Sequence, residues 1–158
     1  MSQIKLNFQI ILQNSDMKRI NEFVGKEIFT KKDYFNSSID AASEIIRKSE
    51  SRSGLLFSGR LSSDNTITKD MLKEGMIIGE DNGDKIWDRG RHKGIDHIVQ
   101  VVKNPDTGEL MISQSHAGHN GGVTLTSVDN YLDGKRKKGT FLYLTDPLYK
   151  AREAIEQK

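Results

Sequence analysis

The chain has 158 residues, 35% of them hydrophobic and 29% charged, with 24 basic residues against 22 acidic ones. That is the size and balance of one globular domain with a buried core, and it excludes a disordered tail, a collagen-like chain and a coiled coil. A formal net charge of +2 selects neither nucleic acid nor anionic lipid as a partner, no apolar run approaches the ~18–20 residues of a membrane span, and the absence of cysteine removes disulfides and thiolate zinc sites.

The opening residues 1–7 lack the basic segment and apolar stretch of a secretory leader, so action outside the cytosol would depend on something other than a signal in this chain. Ile4, Leu6, Phe8 and Ile10 alternate, which predicts a half-buried strand over 3–12. Asn14-Ser15-Asp16 supplies a helix N-cap, Ile20, Phe23 and Val24 follow at helical spacing, and Gly25 is placed to end that helix. After a polar turn at 31–33, Asn36-Ser37-Ser38 forms a second cap. Ile39, Ala42, Ile45 and Ile46 then predict an amphipathic helix over about 38–48. A loop at 62–65 and one helical turn at 68–71 lead to the short apolar run 76–79.

The polar, glycine-rich stretch 80–94 reads as an exposed loop. Residues 97–102 and 110–115 read as strands joined by the turn Asn104-Pro105-Asp106-Thr107-Gly108, and so as a hairpin. A loop at 116–122, a strand at 123–126 and a helical turn at 128–132 follow. The basic segment 134–139 reads as a solvated hairpin tip, 140–144 as a last strand and 151–157 as a closing helix. The expected architecture is α+β, with helices on one side of an antiparallel meander, in a single domain over 1–158.

Four histidines carry most of the candidate chemistry: His92, His97, His116 and His119. His97 opens a strand whose positions 99 and 101 are both valine, so its imidazole stands at the end of a buried face, where a scaffold can hold a general acid–base group rigidly. His116 and His119 form an H-x-x-H pair that, with His92 or His97, has the donor set of a zinc site. The surrounding glycines give it no fixed geometry, and a loop that merely tolerates histidine is the preferred reading, with no metal. Asn36-Ser37-Ser38 is an N-cap, and a helix N-terminus is also where exposed N–H groups stabilise an anion and where nucleophiles are activated.

The ordered set Phe23-Val-Gly-Lys26, Tyr34-Phe-Asn-Ser-Ser38, Leu72-Lys-Glu-Gly-Met-Ile-Ile78, Gly94-Ile-Asp-His-Ile98, Leu110-Met-Ile-Ser-Gln-Ser115 and Gly121-Gly-Val123 resembles the NlpC family of papain-like bacterial cell-wall cysteine peptidases. The resemblance covers about 15–145, and the intervals from Ser37 to Leu72 and to His97 are ordinary for that family. An alternative register through Ser53-Gly54-Leu55 would put Arg52 at the nucleophile position and shorten the interval to Leu72, and is rejected.

The resemblance implies a papain-like NlpC-type fold, with N-terminal helices packed on a central antiparallel sheet. It implies cleavage of an amide bond in the peptidoglycan stem peptide without metal or cofactor. The family's cysteine falls on Ser37, with His97 as base and then acid. Ser113, or else Gln114 beside it, would orient the imidazole, and Tyr34, Ser38, Asp96 and Gln114 would face the substrate. A serine hydroxyl is far harder to ionise than a thiol. Three readings fit Ser37: a substitution that silences a hydrolase, a natural non-catalytic relative that binds peptidoglycan or a protein partner, and a serine-dependent variant. The first is preferred, and the absence of cysteine from the chain is compatible with it. The expected place of action is the cell wall or periplasm, as a delivered antibacterial toxin or a lysin, and a toxin would imply a cognate immunity protein.

Overall fold

The computed structural model describes residues 14–33, 42–83, 90–115 and 123–157. Six antiparallel strands organise it: β1 (Phe57–Arg60), β2 (Ile77–Asp81), β3 (His97–Lys103), β4 (Leu110–Ser115), β5 (Val123–Ser127) and β6 (Phe141–Thr145), in the order β1-β6-β2-β3-β4-β5. Among the described residues, four α-helices accompany them: α1 (Asn14–Val24), α2 (Ala42–Ser53), α3 (Val128–Lys138) and α4 (Tyr149–Glu156). The fold is α+β. The strand expected over 3–12 and the head of the second expected helix lie outside the described residues.

Strands β2 to β5 form the expected meander, but β6 returns to lie between β1 and β2. Strand β1 gave no sequence signal, because Phe-Ser-Gly-Arg is short and mostly polar. It is held by its pairing with β6 from Phe57↔Leu144 to Arg60↔Phe141.

Helices cover both faces of the sheet, not one side as the pattern suggested. The reason lies in β2: Ile77 and Ile78 are consecutive, so each face receives one of them, and both are fully buried. On one face Ile78, Val99, Val101, Ile112, Leu142 and Leu144 pack under Val128, Tyr131 and Leu132 of α3. On the other, Ile77, Ile98, Val102 and Tyr143 meet Ile46 of α2, with α1 and α4 behind it. Gly79 permits the close approach of α2, since a Cβ there would lie 2.9 Å from Ile46 Cγ1 and 3.0 Å from Ile95 Cδ1.

Helix α3 corrects a second expectation. The basic segment is not a hairpin tip but the last turns of this helix, where Lys135, Arg136, Lys137 and Lys138 complement the negative end of the dipole. Ser127 Oγ accepts the Asn130 amide at the N-terminus, and Gly139 ends the helix in the left-handed region at φ 66°.

Arg52 of α2 ties distant segments together from a buried position. Its Nε donates to Asp33 Oδ1 at 3.1 Å, its Nη1 to the Pro147 carbonyl at 3.5 Å, and its guanidinium lies 5.2 Å from the Phe29 ring centroid.

Candidate functional site

One end of the sheet gathers the polar side chains. There β1 ends at Arg60, β2 ends at Asp81, β3 begins at His97, β4 ends at Ser115 and β6 begins at Phe141. The half-buried imidazole of His97 projects from the face that α3 covers, in line with Val99 and Val101 of the core. From β4, on the same face, Gln114 presents its amide oxygen, and Oε1 lies 3.1 Å from His97 Nε2. An acceptor at that distance calls for a proton on Nε2, which leaves Nδ1 with the lone pair that a base uses.

Ser113 does not orient this ring. It pairs with Gln100 in the β3–β4 register, and both point to the face opposite His97, with Ser113 only 5% exposed. The contact that the resemblance gave first to Ser113 is made by Gln114, because adjacent residues of a strand face opposite ways.

Glu80 stands directly across β2–β3 from His97. It was expected in an exposed loop, yet it is the penultimate residue of β2 and 1% exposed. Its carboxylate accepts from Tyr131 Oη at 2.6 Å, Lys135 Nζ at 2.9 Å and Asn82 Nδ2 at 3.2 Å. A buried carboxylate needs such partners to offset its lost hydration. Burial above all, and then the Glu80 charge, push the Tyr131 phenol well above its ordinary value, so it remains a proton donor to Glu80. These three residues escaped the sequence reading, although Glu80 continues the alternation of Ile78, and Tyr131 and Lys135 sit one helical turn apart on α3.

Asp96, a candidate substrate contact, accepts the Asn82 amide at 3.1 Å and Asn82 Nδ2 at 2.7 Å, and so fixes the exit of β2. His92 belongs to the other face, where its Nε2 lies 2.7 Å from Glu50 Oε2 of α2. Tyr34, Ser37 and Ser38, and with them the loop histidines His116 and His119, lie outside the described residues. No group of three or more metal-ligating side chains is found among the described residues.

Helix α2, which follows Ser37 in the chain, packs on the face of the sheet that His97 does not occupy. Its last residue, Ser53, accepts the Asp146 amide through Oγ at 2.9 Å, beyond the end of β6 farthest from His97. No family model, curated protein or solved structure matches the chain. The assignment of function therefore rests on residues and geometry.

Proposed function

We propose that the chain has the scaffold of a papain-like amide hydrolase directed at peptidoglycan stem peptides, with His97 as the proton-transfer group and position 37 as the place of the nucleophile. The observation that carries this reading is the His97–Gln114 pair, an imidazole at the mouth of a strand whose Nε2 is engaged by a side-chain amide. A nucleophile at 37 would give its proton to Nδ1 and attack the amide carbonyl. The imidazolium would return that proton to the leaving amine, and a water activated by the same nitrogen would release the acyl group. The order of NlpC-like segments along the chain supports the reading, as does the antiparallel α+β architecture. Serine at 37 makes the chain as it stands a poor catalyst. Its place of action would be the cell wall or periplasm, and an immunity protein would have to cover the same sheet end.

The test restores the thiol. Ser37→Cys incubated with purified sacculi should release new amino termini, and His97→Ala in that background should abolish the release. No release from about pH 5 to 9, the range in which imidazole chemistry operates, rejects the hydrolase.

One observation favours a second reading, a non-catalytic peptidoglycan-binding module: α2 and His97 occupy opposite faces of the sheet. It predicts cosedimentation of the native chain with sacculi that His97→Ala leaves intact, together with an inert Ser37→Cys form.

A further inference from the structure

A cavity of about 310 Å³ opens at the sheet end that carries His97, lined by Arg60, Asp81, Asn82, Lys138 and Phe141. Its wall follows from the strand register. Arg60 and Asp81 each pair with Phe141 from opposite sides, so the three side chains stand in a row on one face with the aromatic ring in the middle. The Arg60 guanidinium lies 4.8 Å from the Phe141 ring centroid, and its Nε donates to the Gly139 carbonyl at 3.0 Å. Those two contacts fix the plane of the guanidinium and use only one of its five N–H donors. Neither Arg60 nor Lys138 has an acidic partner among the described residues. Asp81, on the far wall, is turned toward its own loop, where its Oδ1 accepts the Gly83 amide at 3.0 Å.

A held guanidinium beside a second unmatched cation, in a concave site with an aromatic floor, is the arrangement that recognises a planar anion attached to an apolar stem. We propose that this cavity is a binding site for a free carboxylate at the end of a peptide, taken by Arg60 and Lys138, with Phe141 under the adjoining side chain. The inference goes beyond the reading of His97 as the reacting group and stands apart from it. Phe141 shares its face with Tyr143, so the row of Arg60, Phe141 and Asp81 lies on the α2 side of the sheet, opposite His97. Arg60 on β1 is three strand spacings, about 14 Å, across the sheet from His97 on β3.

The experiment is a binding titration of the native chain, which needs no turnover. Acetyl-trialanine with a free carboxylate is titrated against its C-terminal amide, following the Gly83 and Gly139 amide signals by NMR. The acid should move both signals, and the amide should bind about tenfold more weakly, as loss of a charge-assisted contact implies. Arg60→Gln should impose the same loss, and Lys138→Gln, a second exposed substitution, should weaken the acid in the same direction. The inference is overturned if acid and amide titrate alike, if neither signal moves, if both variants bind the acid as the native chain does, or if inorganic phosphate displaces the acid at lower concentration than the acid itself needs. Release of amino termini from sacculi by Ser37→Cys is scored separately, so failure of the binding site and failure of the hydrolase are told apart.

Discussion

His97 and Gln114 reach each other from adjacent strands on one face of the sheet, Nε2 to Oε1, while Ser113 lies with its back to both. An amide oxygen at this distance favours the tautomer with the proton on Nε2. Gln114→Leu should remove that preference, seen as mixed tautomer signals in the imidazole ¹⁵N spectrum. In a Ser37→Cys background it should slow hydrolysis by about tenfold, the equivalent of one ordinary hydrogen bond. Ser113→Ala should leave the tautomer unchanged, and a change equal to that of Gln114→Leu would refute the assignment.

Arg52 and Asp33 give a prediction about acid stability. Burial raises the Asp33 carboxyl, but the Thr30 amide and the Arg52 charge and hydrogen bond outweigh it and hold the group below its ordinary value. A depressed carboxyl contributes stability that is complete above about pH 4 and is lost as pH falls through the folded value. Arg52→Met should cost about 3 kcal/mol near neutrality in urea unfolding, because it leaves Asp33 without its cation and the Pro147 carbonyl without the Arg52 donor. The same variant should lose less further stability than the native chain between pH 4 and pH 2.5, both values being about those of the carboxylate range. Parallel acid profiles would show that the pair does not form.

The packing of α2 on the sheet is tested at Gly79. A methyl there collides with Ile46 and Ile95, so Gly79→Ala should cost about 1–3 kcal/mol by overpacking. Ile46→Ala opens the space, and the double variant should be more stable than the sum of the two single losses. Simple additivity in the cycle would mean that α2 does not seat on Gly79.

Tyr131 supplies the alkaline counterpart. Its phenol is raised by burial and by Glu80, so its contribution is present below the ordinary tyrosine value and is lost as pH rises through the folded one. Tyr131→Phe should lower stability by about 1–2 kcal/mol at neutrality, since Glu80 loses a donor, and should flatten the decline above about pH 10. Tyrosinate absorbance should show one phenol that titrates only with unfolding in the native chain and none in the variant.

Local chemistry made much of the fold legible. The Asn104–Gly108 turn between two alternating runs defines the β3–β4 hairpin without reference to the rest of the chain, and the residues around Asn14 and Val24 carry the start and stop signals of α1. The same alternation put His97 at the end of a valine face. Glu80 was harder to read, because a charged residue after a glycine in a polar stretch resembles a loop until Tyr131 and Lys135 arrive from α3 to hold it.

The sequence by itself determined which residues can alternate, turn and cap, since those preferences act over a few neighbours: it determined the hairpin, the strand that begins at His97 and the α+β class. Only the tertiary structure decided which face each alternation presents and what covers it. A strand's two faces are locally equivalent, and a one-residue choice of register exchanges them. That choice was made by β6 entering between β1 and β2 and by α2 and α3 settling on opposite sides. It turned Gln114 toward His97, turned Ser113 away, and closed a buried carboxylate over the strand between them and β6.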